Sequence, residues 1–255
     1  MDIKVHQYKG WLISKDKINK PEEFKQQTKV VCEIYKNAQH LEEKGTHVLC
    51  VDEKTGIQAI EHLNLSLPIK PGQVEKCEQE YKRHGTSGLI ASRNVATGEI
   101  IAPLIQPTRT EIDFVEHLKN VIEVDPKAEY ILVMDQLNTH KSESLVNFVA
   151  EQCNINKETL GIKGKSGILK STNTRAEFLK DETHRIRIIY TPKHSSWLNQ
   201  IEIWFSILTR RLLNRRYSFK SAKMLEEKIL QFIEYYNISM AKPFKWTYAG
   251  KLLQE

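Results

Sequence analysis

Three acidic residues stand at comparable places in this sequence. Asp52 closes the apolar run 47–51, Asp135 closes the run Tyr130–Met134, and Glu202 lies in the apolar segment that follows Arg187–Tyr190. Side chains at the strand ends of an α/β sheet open into one crevice, where ligands gather. Three carboxylates meeting there repel one another unless hard cations hold them. Oxygen-only ligation by one or two carboxylates per ion, completed by water and phosphate, is what Mg²⁺ favours. Two such ions about 3.5–4 Å apart form a clamp for in-line phosphoryl displacement. Each acid also has a plainer use. An Asp after a strand serves as a turn residue, and Glu202 has Arg210 and Arg211 as ion-pair partners. Glu53 points away from Asp52 in an extended chain and reads as structural. His140 and His194 lie near the acids, where a packing or hydrogen-bonded role is the plainer alternative.

The elements that must position these groups follow from periodicity. Leu198, Ile201, Phe205, Leu208 and Leu212 form a helical stripe, with Ile203, Trp204 and Ile207 on the other side. That predicts a helix buried on several faces, with Glu202 inside it and needing a cation, either a basic side chain or a metal. Upstream, residues 1–20 read as an extended lead-in. A helix is predicted from Pro21, capped by Asn19 and ended by Gly45. The stretch His47–Val51 reads as a strand ended by a turn at Asp52–Gly56. After an irregular stretch over 57–85, Ser87–Ala91 and Glu99–Ile101 complete an antiparallel meander. Thr110 and Asp113 approximate a capping box for a helix. A strand over Tyr130–Met134, a helix over Ser142–Cys153 and a strand over Arg187–Tyr190 follow, then a helix carrying Leu225, Ile229 and Ile233. Residues 154–186 form an excursion whose Gly/Lys-rich part, 161–170, predicts a basic hairpin or a mobile arm. The order implies an α/β domain over 46–255 with a mixed five-stranded sheet and helices on both faces, preceded by a lead-in segment and helix over 1–45.

Composition bounds the reading. The 255 residues are 40% hydrophobic, enough for a sizeable core, and 38 Lys+Arg against 32 Asp+Glu give a net charge of +6. That balance suits a polyanionic partner without requiring one. Cys32, Cys50, Cys77 and Cys153 form no Cys-x-x-Cys pair, so neither a zinc knuckle nor a disulfide framework is indicated, and a reducing compartment fits. The start of the chain carries charges and no signal-peptide core. No apolar run approaches a membrane span, so a soluble cytoplasmic protein is expected.

Three local words carry a resemblance. Val51-Asp-Glu-Lys-Thr-Gly-Ile-Gln58, Met134-Asp-Gln-Leu-Asn-Thr-His140 and Thr191-Pro-Lys-His-Ser-Ser-Trp-Leu-Asn-Gln-Ile-Glu202 resemble the catalytic core of bacterial insertion-sequence transposases. The match is to the IS six-thirty group of the Tc/mariner superfamily, DDE enzymes with an RNase H-like fold. The resemblance implies that Asp52, Asp135 and Glu202 are an acidic triad holding two Mg²⁺ or Mn²⁺ ions. It implies cleavage at transposon ends, attack of the freed 3′-hydroxyl on target DNA, and a homodimer working on that DNA. Asn138 and His140 then support the Asp135 loop, while His194, Trp197 and Asn199 shape the turn that presents Glu202.

Two departures stand out. Gln136 occupies a place where the group commonly has Asn, and 67 positions separate Asp135 from Glu202, about twice the usual span. The excess is the 154–186 insertion, expected on the DNA-facing side. Its Lys163, Lys165 and Lys170, with Arg210, Arg211, Arg215 and Arg216 after Glu202, are the candidate phosphate contacts; a solvated loop and helix end are the alternatives. Full-length relatives carry helix-turn-helix modules ahead of the catalytic domain, and none is legible before residue 20. The rival readings are a truncated, non-catalytic transposase acting as a DNA-binding or dimerising repressor, and a plain RNase H-like nuclease.

Overall fold

The computed structural model describes residues 14–64, 67–76, 78–214 and 217–248. Part of the expected extended lead-in is helical: α1 spans Lys15–Asn19 and runs into α2, Pro21–Glu43. Three strands follow, β1 Thr46–His62, β2 Tyr81–Asn94 and β3 Ile100–Gln106. Next come α3 Glu111–Val124, β4 Glu129–Met134, α4 Glu143–Gln152, α5 Thr172–Leu179, β5 Ile186–Tyr190, α6 Ile201–Arg211 and α7 Ala222–Ser239. The sheet order is β3-β2-β1-β4-β5. The meander β1–β2–β3 is antiparallel, and β4 and β5 add in parallel beside β1. This is the mixed sheet that the order of elements predicts.

Alternation along the strands splits the core in two. Val48, Cys50, Ile131 and Val133 pack with α2, α6 and α7, whereas Leu49, Val51, Leu132 and Met134 pack with α3, α4 and α5. With both faces covered, the central strands read as continuous apolar runs. No helix among the described residues is long and apolar enough to cross a membrane.

A second expectation needs correction. The turn at Asp52–Gly56 does not form: β1 continues to His62, with irregularities between Lys54 and Ile57 and between Gln58 and Ile60. Gly56, at φ +67, takes the left-handed conformation that such a bulge requires, and pairing with β2 keeps the strand going. The 154–186 insertion carries the hairpin of the two forms expected for 161–170, Ile162 bridging antiparallel to Ser166. Its Leu160, Leu169, Ala176 and Leu179 are buried in the core beneath α4, and Ser171 with Thr174 forms a capping box on α5. These apolar positions follow no single helical or strand period, so they leave no sequence signal.

At the far side of the sheet, β3 kinks at Ala102, whose φ is +45. Its carbonyl accepts from His117 Nδ1 at 2.9 Å, and His117 Nε2 lies 2.7 Å from the Ser92 hydroxyl. Burial holds the His117 ring neutral, its pKa pushed down to about 4. The unfolded chain protonates near 6.5, so this contribution to stability is complete above that pH and is lost as pH falls toward 4. The shift amounts to about 3 kcal/mol. Chemical denaturation at stepped pH should show that loss between those values, with the His117 ring signals titrating only near 4. Ring signals titrating near 6.5 would rule it out.

Candidate active site

The parallel register places the first two acids together. Cys50 pairs with Val133 in the β1–β4 ladder, and the same offset carried two residues on sets Asp52 beside Asp135. Asp52 therefore lies within β1, at the point where its neighbour β4 ends. The ladder between β4 and β5 also extends past the strands, with Thr191 N–H donating to the Met134 carbonyl at 2.9 Å. Asp52 and Asp135 share the strand parity of Cys50 and Val133, which face α6, and Glu202 sits in the first turn of α6.

The start of α6 is heavily fixed. The Tyr35 hydroxyl donates to the Leu198 carbonyl at 2.6 Å. Buried Arg93 donates to Gln200 Oε1 at 2.7 Å. Asn199 Nδ2 donates to the Val51 carbonyl at 3.0 Å and to Asp52 Oδ2 at 3.2 Å. One buried amide thus ties the turn before Glu202 to the strand carrying Asp52. Leu198 itself belongs to a 3-10 turn, Ser196–Leu198, and the α-helix begins only at Ile201.

Electrostatics separates the acids. Burial, opposed in part by the Glu53 N–H and reinforced by Asp135, raises the Asp52 pKa to about 7. Burial also raises Glu202, with Lys54 pulling the other way and Asp135 adding to the rise. Asp135 goes down: burial would raise it, but the His140 ring and the Leu137 N–H hold it below the usual carboxylate range. His140 Nδ1 lies 2.8 Å from Asp135 Oδ1, and the Leu137 N–H donates to the same oxygen at 2.9 Å. Both contacts fall on Oδ1, so Oδ2 is left for an incoming ligand.

Glu53 has a larger part than its expected structural one. Pointing to the other face of β1, its carboxylate is 4% exposed and lies 3.4 Å from Nε2 of the fully buried His140. This is ion-pair distance without hydrogen-bond geometry. Burial opposes protonation of the ring, but Asp135 and Glu53 overcome it and raise its pKa to about 10. The cation is sandwiched between two carboxylates and stacks on Phe114 at 4.5 Å between ring centroids.

The remaining candidates are scattered. Asn138 is exposed at the start of the 3-10 turn Asn138–Lys141. His194 is exposed with φ +57, and Trp197 is exposed with an edge contact to Tyr248. The cation beside Glu202 is Lys54, not Arg210 or Arg211: among the described residues neither arginine ion-pairs with it. Lys54, Glu202 and Arg210 border a common groove. Lys163, Lys165 and Lys170 are exposed, Lys163 pairs with Glu143 at 3.2 Å, and none of the three borders that groove. Arg215 and Arg216 lie outside the described residues. Among the described residues, no three His, Cys, Asp or Glu side chains converge into a ready-made metal cage. The donor set nonetheless fits hard divalent cations, since it is all oxygen and Asp135 bears on the charge of both other acids.

The sheet order and its flanking helices are those of the RNase H-like fold, as in the catalytic domain of the Mos1 mariner transposase. The sequence matches the family described as DDE superfamily endonuclease over residues 47–226, and the chain belongs to that family. Similar solved structures include the Mos1 mariner paired-end complex with Mn, at 13% identity and TM-score 0.56, covering 94% of this chain and 61% of that one. The Mos1 strand transfer complex matches at 13% identity and TM-score 0.50, covering 89% and 58%. The Mos1 catalytic domain alone matches at 11% identity and TM-score 0.52, covering 94% and 89%. This chain thus spans about three-fifths of the transposase chains in those complexes. No curated protein matches the sequence.

Proposed function

We propose that the chain is a transposase catalytic domain of the Tc/mariner type, cutting DNA at transposon ends and joining the freed 3′-hydroxyl to target DNA. The observation that carries this reading is the shared face of Asp52, Asp135 and Glu202, brought together by the β1–β4 register and the fixed start of α6. These three carboxylates would hold two Mg²⁺ or Mn²⁺ ions. Bound there, the ions supply acidification of the attacking water or hydroxyl and neutralisation of the leaving oxygen. The protein's own part is orientation. Asn199 fixes one Asp52 oxygen, protonated His140 fixes one Asp135 oxygen, and Lys54 with Arg210 lines the groove beside Glu202, where phosphate charge would rest. DNA is the partner, and a homodimer would pair two ends.

The direct test is incubation of the protein with a plasmid carrying its element's own ends and Mg²⁺. Joined products at new sites are expected. Hydrolysis without joining would identify a plain nuclease, and DNA binding without any metal-dependent nicking would identify a repressor.

Metal binding has a separate readout. With Asp52 titrating near 7, protons compete with the ion below that pH. Millimolar Mg²⁺ should therefore raise Tm clearly at pH 8 and little at pH 6. A hundredfold excess over Kd corresponds to about 2.7 kcal/mol, or several degrees at roughly 2–4 °C per kcal/mol. An equal shift at both pH values, or none, would count against Asp52 as a ligand.

A further inference from the structure

A second cleft, of about 370 Å³, opens beside Gln136, the residue after Asp135, between α2, the 3-10 turn Asn138–Lys141 and α5. Four lysines border it: Lys20 between α1 and α2, which pairs with Glu23, and, from three other segments, Lys141 at the end of the turn, Lys180 capping α5, and Lys193 in the loop after β5. Two of them hold the same ring, Lys141 Nζ at 4.8 Å and Lys180 Nζ at 5.6 Å from the Tyr190 centroid. Among the described residues, the ion pairs of this protein go to other cations and none to Lys141, Lys180 or Lys193. Asp16, Glu23 and Glu177 also border the cleft; Glu23 pairs with Lys20 at 2.9 Å, and Asp16 acts on the same Lys20.

Among the described residues no carboxylate lies within ion-pair distance of these three ammonium groups, and their mutual repulsion grows where solvent is excluded. The Lys141 pKa is lowered by burial first and by Lys180 and Lys193 next, with Asp135 pulling the other way. Cation–π contact with Tyr190 offsets part of that repulsion. The cluster is also tied to the acids. Gln136, next to Asp135, accepts from Lys141 Nζ at 3.2 Å and donates to the Thr191 carbonyl at 3.0 Å. Arg175 of α5 donates to the Lys141 carbonyl at 2.6 Å, and the Tyr190 hydroxyl donates to the His140 carbonyl at 2.7 Å. The insertion therefore docks on the turn that follows Asp135 and delivers Lys180 beside it.

We propose that Lys141, Lys180 and Lys193 bind the phosphodiester backbone of the DNA strand passing Asp135, and that the 154–186 insertion serves to complete this cleft. The proposal rests on the reading of Asp135 as part of a strand-cleaving centre. Separated ammoniums along an open cleft suit successive backbone phosphates, whereas a single free phosphate is more often enclosed by backbone N–H groups. The Gly/Lys-rich tip of the insertion, with Lys163 and Lys165, plays no part in it.

The test is anisotropy of a labelled duplex of arbitrary sequence, titrated with the full chain across a salt series without divalent metal. The variants are Lys180→Gln/Lys193→Gln and, as control, Lys163→Gln/Lys165→Gln. Lys180 and Lys193 are exposed, so Tm should hold. Losing two phosphate contacts should flatten the log–log salt slope by about two and weaken low-salt binding about tenfold, with the control near wild type. Equal binding by both variants, or no DNA binding by wild type, overturns the proposal. So does a Tm rise with inorganic phosphate over chloride that only the first variant loses while its DNA binding stays intact, which would mark a free-phosphate site. Because no cleavage is read, an inactive protein that still shows the selective loss would sink the transposase reading and leave the cleft standing.

Discussion

Asp135→Asn is expected to lower metal-dependent DNA cleavage at least about a thousandfold while leaving the fold intact. The amide keeps an oxygen in place for the Leu137 N–H, which now donates to Asp135 Oδ1 at 2.9 Å. The neighbouring strand order and the core beneath it do not depend on the charge. What the substitution removes is the negative charge that would bind the ions and that bears on both Asp52 and Glu202. Metal stabilisation of developing charge is worth several kcal/mol, and each 1.36 kcal/mol is a factor of ten in rate. The same variant should lose most of the Mg²⁺-induced rise in Tm, and because it also removes one partner of buried His140, its metal-free stability should fall on the order of 3 kcal/mol with the fold retained. Wild-type cleavage by Asp135→Asn would end the assignment of these acids as the reacting centre.

Glu53→Gln should be the most damaging substitution outside the three acids. Protonated His140 is fully buried between Asp135 at 2.8 Å and Glu53 at 3.4 Å. Removing one partner of a buried ion pair costs about 3–5 kcal/mol, because the remaining charge is left under-compensated. With Asp135 still present, the lower end of that range applies, on the order of 3 kcal/mol. The His140 pKa, about 10 in the intact protein, lies above its unfolded value near 6.5. Its contribution to stability is thus complete below about 6.5 and is lost as pH rises through 10. In the variant that alkaline loss should move to lower pH. Cleavage should fall with it, since a neutral ring no longer places a positive charge beside Asp135 Oδ1. Denaturation at pH 7 and pH 9, with NMR of the His140 ring, reads both effects. Unchanged stability together with an unchanged ring pKa would show that Glu53 is a bystander.

Much of this was legible from residues alone, for local reasons. The capping box at Thr110, the apolar runs of β4 and β5 and the helical stripe of α6 are set by neighbours a few positions away, and periodicity reports them. The three acids stood out because Asp52 and Asp135 each close such a run and Glu202 lies inside an apolar helical segment. Their meeting on one face depended on tertiary structure. The β1–β4 register aligns Asp52 with Asp135, and long-range bonds from Tyr35, Arg93 and Asn199 fix the turn before Glu202. Pairing with β2 converted an expected turn at Asp52–Gly56 into continuous strand, which no local pattern could foretell. Strand parity sent Glu53 away from Asp52, as its position implied, but only packing against Phe114 and α3 placed His140 there to meet it. The lysines tell the same story. Those that cluster conspicuously in sequence, at 163–170, are exposed and away from the acids, whereas Lys141, Lys180 and Lys193 are far apart in the chain and converge because β4, β5 and α5 end on one side. Sequence determined which residues are candidates for the chemistry; long-range pairing and packing decided which of them meet, because charge and hydrogen-bond contacts act through space and not along the chain.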